Sequence, residues 1–417
     1  MAIGLACKGA SCSFADRSFD RSARACDTGT GRRREVDRRR FLTCCRDTLL
    51  ALPLLMRARP LASGGRTEQP EWSGGTPPTD IPLHEAMYWE PADNGDVRCL
   101  LCFRACRIRP ESRGYCGVRV NVGGALQTMV HGNMSAVTYS PVEKKPLHHY
   151  LPGALANNYG TAGCNLHCLF CHNWHMSQRK LEDLHYETVT AADALDRARM
   201  RDAALVSFTY NEPTTFYEFM LETAERARAS GLRVNVNTNG LMREAPMRRL
   251  MRAGDSATVD LKAFDDEFYR DICGGSLSYV LDSIEIMKDI GVWVEVVNLV
   301  IPELNDESDT IRSMCRWIVD HAGADVPLHV NRFVPAYRLT NIPSTPVATL
   351  ERAHSIAVQE GLHHVYIGNV PGHRHNSTYC HACGAVLIHR VHYSTTIVGM
   401  QEGQCRACGT PVPGVWT

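Results

Sequence analysis

Hydrophobic and polar positions alternate in a regular pattern from about residue 154 of this 417-residue chain. Short apolar, β-branched runs predict strands at 203–209, 232–238, 256–261, 292–300, 326–334 and 363–367. Amphipathic runs between them predict helices at 214–230, 244–253, 276–290, 308–322 and 346–360. The strands lack strict polar alternation, as expected when both faces are covered. The pattern predicts an α/β fold with a parallel sheet, open or closed into a (β/α) barrel, and chemistry at the carboxyl ends of its strands.

Composition adds one unusual feature to this ordinary globular pattern. The 45 Lys and Arg residues balance 45 Asp and Glu residues, which argues against a basic nucleic-acid binder and against a disordered acidic chain. No uncharged apolar run reaches 18 residues, so a multi-span membrane protein is excluded. The chain has 18 cysteines, and eleven of them fall into three tight groups. Such clustering is typical of metal chemistry rather than of a disulfide framework.

The central group, Cys164, Cys168 and Cys171, has the spacing C-x3-C-x2-C and follows the first candidate strand. Three closely spaced thiolates suit a [4Fe–4S] cluster, because one loop can wrap the cube and leave the fourth iron open. A zinc site is the alternative reading of the loop. It would need a fourth ligand, which one of three nearby histidines could supply: His167, His172 or His175.

Two further groups each contain four cysteines, a complete ligand set. Upstream, the spacing C-x2-C-x3-C-x9-C suits either structural zinc or an auxiliary iron–sulfur cluster. Downstream, two C-x2-C-G knuckles predict a zinc ribbon, with rubredoxin-like iron as the alternative. The ribbon strands are expected at 386–391 and 393–398. The two groups are Cys99, Cys102, Cys106 and Cys116, and then Cys380, Cys383, Cys405 and Cys408.

With Phe170 as its aromatic position, the central motif resembles the C-x3-C-x-aromatic-C of the radical S-adenosylmethionine (SAM) superfamily. A closer resemblance, over roughly 85–417, is to the AmmeMemoRadiSam-system radical SAM enzymes, relatives of pyruvate formate-lyase activating enzyme. It rests on stretches such as 97–102, 114–119, 141–147 and 366–370. The resemblance implies a partial (β/α)6 TIM-like barrel. It also implies a catalytic [4Fe–4S] cluster on the three central cysteines, with SAM beside Phe170.

Polar residues follow successive predicted strands, where the resemblance implies contacts with SAM. An acceptor such as Glu212 or Asn211 suits the ammonium group of SAM. A D-x-K motif after the fourth strand resembles that of glycyl-radical-enzyme activases and could place one charge of each sign beside SAM. Each motif alone is an ordinary strand-to-loop junction, but together they predict one site. The predicted cofactor-binding residues are Phe170, Asn211, Glu212, Asn239, Asp260, Lys262 and Asn298.

The first 60 residues form an arm with twelve arginines and one lysine against six acidic residues. Its segment 37–62 resembles a twin-arginine export signal, although Arg46 and Asp47 interrupt the apolar stretch. The predicted organisation is the arm and linker at 1–82, a four-cysteine metal subdomain at 83–150, the barrel at 151–370 and the ribbon at 371–417. SAM and low-potential electrons are cytosolic, so the cytoplasm is the expected location despite the arm.

The predicted function is reductive cleavage of SAM to a 5′-deoxyadenosyl radical that abstracts hydrogen from a substrate. The alternatives are activation of a glycyl-radical enzyme, or a non-catalytic metal-bound scaffold or electron-transfer protein. Expected partners are SAM, an electron donor of flavodoxin or ferredoxin type, and the two partner proteins that the resemblance implies. No nucleic acid and no transmembrane core are expected.

Overall fold

A computed structural model describes Pro78 and residues 80–417, all of which belong to the unit Gly64–Thr417. The predictions for the basic arm and its twin-arginine-like segment lie outside these residues. Within them, no helix combines the length and the apolar character needed to cross a bilayer. The predicted division into subdomains stays a prediction.

Short antiparallel strands make up the region before the main sheet. They form two three-stranded sheets, in the orders β1-β6-β5 and β2-β3-β4, and β7 pairs with a later strand, β10. The strands are β1 (His84–Glu85), β2 (Trp89–Pro91), β3 (Val97–Cys99), β4 (Arg107–Ile108), β5 (Arg119–Val122), β6 (Ala125–Thr128) and β7 (Asn133–Met134). The first two cysteine positions of the upstream group therefore lie at the end of β3 and in the turn that follows it.

An eight-stranded sheet is the largest sheet of the described residues. Its strands are β8 (Ala136–Pro141), β9 (Leu155–Gly160), β11 (Leu205–Phe208), β12 (Arg233–Thr238), β13 (Ser256–Asp260), β14 (Trp293–Val300), β15 (Leu328–Arg332) and β16 (Val365–Gly368), and β10 (Glu187–Thr188) lies outside it. The order is β16-β15-β14-β13-β12-β11-β9-β8, with β8 and β16 as its two ends. Neighbours from β9 to β16 are parallel, and β8 joins β9 antiparallel. The prediction of a parallel sheet is confirmed.

Helices connect the parallel strands. The α-helices are α1 (Trp174–Ser177), α2 (Ala191–Met200), α3 (Tyr217–Ala229), α4 (Glu244–Met251), α5 (Asp266–Phe268), α6 (Leu277–Ile290), α7 (Ser308–His321) and α8 (Val347–Gln359). Short 3₁₀ segments occur at Asp93–Gly95, Val142–Lys144, Leu181–Asp183, Pro213–Phe216 and Arg374–Asn376, and a π-helix at Tyr269–Cys273. Six strand–helix units followed by β16 agree with the predicted (β/α)6 arrangement.

The six strands and five helices predicted from periodicity are confirmed within a few residues, whereas β8 and α2 are among the elements that were not predicted. The strand β8 pairs antiparallel at the edge of the sheet, outside the repeating pattern. Helix α2 buries mainly alanines, so its apolar face has little hydrophobic contrast. Its start does carry a local signal, because Thr190 and Asp193 form a reciprocal capping box.

The carboxyl-terminal segment carries β17 (Thr378–Tyr379), β18 (Val386–Val391), β19 (Ser394–Ile397), β20 (Met400–Gln401) and β21 (Gln404–Cys405). The two strands predicted for a ribbon hairpin are β18 and β19, which pair antiparallel. The buried guanidinium of Arg390 donates to Thr378 Oγ1 at 2.7 Å and to the His148 carbonyl oxygen at 2.7 Å. These bonds tie the hairpin to the segment that precedes β9.

Candidate active site and metal centres

The loop that carries the three central cysteines begins directly after β9. Gly163 has φ of +85°, and a Cβ atom there would lie 2.4 Å from the Cys116 carbonyl oxygen. Only glycine allows the two chains to pass this closely. On its other side the loop is held by the π-helix, since His167 N donates to the Cys273 oxygen at 2.9 Å and Leu169 N to the Ile272 oxygen at 3.0 Å.

The three thiols of this loop are buried or half-buried. Burial raises the pKa of Cys164 and Cys171, and a hydrogen bond with Cys273 together with burial raises the pKa of Cys168. Without a metal these groups are therefore protonated, and a positively charged centre is needed to stabilise them as thiolates. In the described part of the chain, these three sulfurs do not all lie within 4.8 Å of one another, and no histidine forms such a compact set with them. A donor set of three thiols fits a [4Fe–4S] cluster with one open iron better than a closed zinc site.

A cavity of about 350 Å³ opens beside the loop, at the carboxyl edge of the sheet. This volume falls in the range of small-molecule sites. Nine of the predicted residues line it: Cys164, Cys168, Phe170, Cys171, Asn211, Glu212, Asn239, Asp260 and Lys262. Asn298 is not among the lining residues, and its side-chain amide instead donates to the carbonyl oxygens of Leu261 and Lys262, at 2.8 and 3.2 Å.

Glu212 is held rigidly in the wall of this cavity. Its carboxylate accepts from the amide and hydroxyl of Thr214 at 3.1 and 2.5 Å, from the Thr238 hydroxyl at 2.8 Å and from the Asn239 amide at 2.7 Å. Burial raises the pKa of Glu212, although these donors act in the opposite direction. Because a carboxylate has about four acceptor positions, this side chain is largely committed to joining the ends of β11 and β12.

Two asparagines at the strand ends fix the cysteine loop from inside the sheet. Asn211 donates to the Gly163 carbonyl oxygen at 2.9 Å and accepts from the Thr161 amide at 2.9 Å. Asn239 donates to the side-chain oxygen of Asn165 at 2.7 Å. Both side chains are buried. The register of successive parallel strands thus positions the loop as well as lining the cavity.

Asp260 and Lys262 present opposite charges at the end of β13. Their carboxylate and ammonium groups are 3.0 Å apart, and the ammonium lies 5.9 Å from the centre of the Phe170 ring. Burial lowers the pKa of Lys262, but Asp260 and then Cys168 outweigh it, so the net pKa lies well above the usual lysine value. Lys262 is therefore a permanent cation in the cavity, while the half-exposed Asp260 leaves carboxylate surface free for a ligand.

The structure adds residues that the motifs did not indicate. Cys273 contacts Cys168 although 105 positions separate them in the sequence. Ser177 lies with its hydroxyl 3.2 Å from the Cys171 sulfur. Asn331 lies near the end of β15, and Asn369 directly follows β16. Both residues also line the cavity. No local spacing could have found these residues, because packing of distant segments brings them together.

The carboxyl-terminal cysteines converge on one point. Among the described residues they are the only set of three or more histidine, cysteine or carboxylate side chains whose ligand atoms all lie within 4.8 Å of one another. The Cys380 and Cys408 sulfurs are 3.6 Å apart, and those of Cys383 and Cys405 are 3.7 Å apart. Each knuckle closes on a glycine with φ of +75°, as the C-x2-C-G pattern predicts. This is a metal site of four thiols.

The upstream four cysteines also come together, around a second cavity. All four line it, with Arg104, Arg119 and Asn165. Burial raises the pKa of Cys102 and Cys106, and it raises the pKa of Cys116 to about 11. Like the loop thiols, these groups are protonated unless a metal stabilises them.

Comparison with known proteins agrees with this geometry. Residues 158–314 match the Radical SAM superfamily. Over 332 residues the chain is 38% identical to the uncharacterized protein MJ0808 of Methanocaldococcus jannaschii. The alignment covers 79% of this chain and 99% of that relative. The chain belongs to the radical SAM superfamily.

Two further proteins are similar to this chain at lower sequence identity. Pyruvate formate-lyase 1-activating enzyme of Escherichia coli K12 is 25% identical over 219 residues, which cover 48% of this chain and 87% of that enzyme. A solved structure of a radical SAM methyltransferase from Sphaerobacter thermophilus is 15% identical with a TM-score of 0.42, over 73% of this chain and 81% of that chain. Membership in the radical SAM superfamily implies a [4Fe–4S] cluster and SAM, and the three loop cysteines beside a small-molecule cavity fit both groups.

Proposed function

We propose that this protein is a radical SAM enzyme of the AmmeMemoRadiSam type, acting on a substrate that enters the cavity at the carboxyl edge of the sheet. When bound, the cluster and SAM together supply reductive cleavage of the sulfonium to methionine and a 5′-deoxyadenosyl radical, which abstracts hydrogen from the substrate. One observation carries the proposal: the three cysteines of one loop share a cavity of about 350 Å³ with the charged pair Asp260–Lys262.

The protein groups have separate tasks in this proposal. Cys164, Cys168 and Cys171 would hold the cluster, leaving one iron for the amino and carboxylate groups of SAM. Asp260 is half-exposed and suits the SAM ammonium, while the Lys262 ammonium suits its carboxylate. Asn298 would have a supporting role, because its side-chain amide donates to the carbonyl oxygen of Lys262.

The direct test is anaerobic reconstitution with iron and sulfide, followed by SAM and a strong one-electron reductant. We expect 5′-deoxyadenosine and methionine in equal amounts, detected by mass spectrometry. Cys168→Ala should abolish the product, whereas Cys315→Ala, a change at a buried cysteine of α7, serves as the matched control. Cleavage that persists without Cys168 would contradict the proposal, and a fully loaded protein that never cleaves SAM would favour a scaffold or electron-transfer role.

Activation of a glycyl-radical enzyme is the second candidate. It is supported by the D-x-K motif at residues 260–262 and by the similarity to pyruvate formate-lyase 1-activating enzyme over 48% of this chain. In that case the hydrogen comes from a glycine of a partner protein. Incubation with a candidate partner and SAM, followed by EPR spectroscopy, should show a glycyl radical doublet. Product formation from small molecules without such a doublet would favour the first candidate.

For the carboxyl-terminal site we propose zinc in a ribbon. Zinc–sulfur bonds of about 2.3 Å in a tetrahedron give sulfur–sulfur distances of about 3.8 Å. The observed 3.6 and 3.7 Å support a single tetrahedral ion. Metal analysis of the purified protein distinguishes zinc from rubredoxin-like iron.

The proposed reaction also implies partners and a location. An electron donor of flavodoxin or ferredoxin type would supply the electron, and the two partner proteins of the AmmeMemoRadiSam system are candidates for substrate or product handling. Since SAM and low-potential electrons are cytosolic, we propose the cytoplasm as the site of the reaction. Cell fractionation with sequencing of the mature amino terminus tests this, and it also tests the twin-arginine-like segment 37–62.

A further inference from the structure

The upstream four-cysteine cavity differs from the carboxyl-terminal metal site in how its sulfurs are arranged. The carboxyl-terminal sulfurs converge, with all four within 4.8 Å of one another. In the part of the chain that the structure describes, no other group converges in this way, so the upstream sulfurs stand further apart around their cavity. A single tetrahedral ion draws its thiolates to about 3.8 Å, whereas in a cluster each thiolate binds a different iron and the sulfurs stay apart. The wider arrangement favours a cluster.

The walls of this cavity present hydrogen-bond donors. The Arg119 guanidinium donates to the Cys99 sulfur at 3.8 Å and pairs with the buried carboxylate of Glu218. Its Nε atom is buried without a hydrogen-bond partner, and so is the side-chain nitrogen of Asn165. Buried donors without partners are costly, which indicates an acceptor that belongs in the cavity. The sulfides of an iron–sulfur cluster are acceptors of this kind, in addition to the thiolates themselves.

We propose that Cys99, Cys102, Cys106 and Cys116 bind a [4Fe–4S] cluster, in addition to the cluster of the central loop. The site would be a closed one, because four thiolates complete the ligand sphere of four irons. The arginines then have a direct role, since they balance the negative charge that four thiolates bring into a buried cavity. Structural zinc, the alternative that the spacing left open, does not account for the separated sulfurs.

The cavity shares a wall with the central cysteine loop. The Cys116 carbonyl oxygen packs directly on Gly163, next to Cys164. Arg104 donates to the Asn165 carbonyl oxygen at 2.5 Å and stacks on the Tyr115 ring at 3.3 Å from its centre. Tyr115 interacts electrostatically with Cys106 and also with Cys164 and Cys168. Two clusters bound at these positions would be close neighbours.

This placement suggests an electron-carrying role, which rests on the proposed function. The upstream cluster would be oxidised by one electron as the loop cluster is reduced by one, and no bond or proton would move. A low-potential donor of flavodoxin or ferredoxin type would then reduce the upstream cluster again. Whether the upstream cluster is present can be tested by metal content alone, because its presence does not depend on SAM cleavage.

Metal and sulfide analysis of three proteins tests the site. The wild type, reconstituted anaerobically with iron and sulfide, should contain about eight irons, about eight sulfides and about one zinc per chain. The variant Cys164→Ala/Cys168→Ala/Cys171→Ala should keep about four irons and show the EPR spectrum of a reduced [4Fe–4S] cluster. Cys102→Ala/Cys116→Ala should also fall to about four irons, while Cys315→Ala keeps the wild-type content.

A wild type with about four irons and about two zinc ions would overturn the proposal, and this count needs no variant to fold. An iron-free triple variant that remains folded by circular dichroism would overturn it as well. EPR spectra of the reduced wild type should show spin coupling that disappears in Cys102→Ala/Cys116→Ala; two independent spectra would overturn the close placement. A two-cluster protein that forms no 5′-deoxyadenosine would contradict the proposed function alone.

Discussion

The side-chain amide of Asn211 donates a hydrogen bond of 2.9 Å to the carbonyl oxygen of Gly163, one residue before the first cysteine of the central loop. Asn211 follows β11, whereas Gly163 follows β9, and these two strands are parallel neighbours. The bond therefore fixes the start of the cysteine loop relative to the sheet. Because both groups are buried, neither can exchange this partner for water.

Replacing Asn211 by alanine should loosen the loop and lower its metal occupancy. The change leaves the Gly163 oxygen and the Thr161 amide without partners, at a cost of about 1–3 kcal/mol each. We expect less iron per chain after reconstitution and a lower midpoint of urea unfolding. Asn341→Ala removes an exposed asparagine and should change neither quantity. Unchanged iron content in the Asn211 variant would show that the cysteine loop does not depend on this bond.

Lys262→Met should weaken SAM binding. Removing one charge-assisted hydrogen bond costs about 1.5–3 kcal/mol, which corresponds to a rise in Kd of roughly 10- to 150-fold. Equilibrium binding of SAM to the reconstituted protein measures this, and Lys262→Arg should recover part of the affinity. Lys288→Met, at an exposed position of α6, is the matched control. Equal affinities for the Lys262 and Lys288 variants would remove Lys262 from the cofactor site.

Lys145 should make the stability of the fold depend on pH. Burial, and then the neighbouring charge of Lys144, lowers its pKa from 10.5 to about 7. Between about pH 7 and pH 10 the unfolded chain binds a proton that the folded chain does not, so stability rises with pH in this window. Relative to Lys145→Met, the wild type should gain about 2 kcal/mol between pH 7 and pH 9.

Urea unfolding of both proteins at pH 7, 8 and 9 provides the measurement for Lys145. Lys180→Met removes a lysine at another site and serves as the control, which should run parallel to the wild type. A constant difference between the wild type and Lys145→Met across these pH values would mean that the buried amine keeps its ordinary pKa. The sign is diagnostic, because a lysine stabilised by an acidic partner would lose stability as the pH rises.

Loss of the carboxyl-terminal metal should unfold that segment locally. Cys405 is buried at the end of β21, and its sulfur lies 3.7 Å from that of Cys383. Cys405→Ala should reduce zinc from about one ion per chain to none, because three thiols bind a tetrahedral ion poorly. Limited proteolysis should then cleave within residues 378–416, while iron content stays at the wild-type level. Protection equal to the wild type would show that the hairpin packing, including the bonds of Arg390, holds the segment without metal.

Much of the architecture could be predicted from local pattern. The repetition of apolar and amphipathic runs indicates the parallel strands and their crossover helices, because hydrophobic periodicity follows directly from which face each element buries. The edge strand β8 and the alanine-faced helix α2 were missed for the same reason, since neither shows that contrast. The knuckle glycines were predicted correctly, because a tight turn after the second cysteine is a purely local requirement.

The roles of the residues around the cavity were harder to predict from local sequence pattern. Strand-end position predicted that Glu212, Asn239 and Asp260 share an edge, and all three line one cavity. Whether such a residue faces a ligand or supports the loop depends on its partners. The side-chain amides of Asn211 and Asn239 donate hydrogen bonds to the cysteine loop. The side-chain amide of Asn298 donates to the backbone that follows β13.

By itself, the sequence predicted the candidate ligand sets and determined the fold class, since cysteine spacing and hydrophobic period are properties of short segments. Only the tertiary structure decided how far apart the sulfurs of each set lie. It also decided that Cys273 reaches Cys168 and that the upstream cavity adjoins the central loop at Gly163 and Cys116. Those relationships arise where segments distant in the chain pack together, and spacing along one segment carries no information about the distance to another. The eleven grouped cysteines were visible at once, but their division into one converging set and two open ones follows from the packing alone.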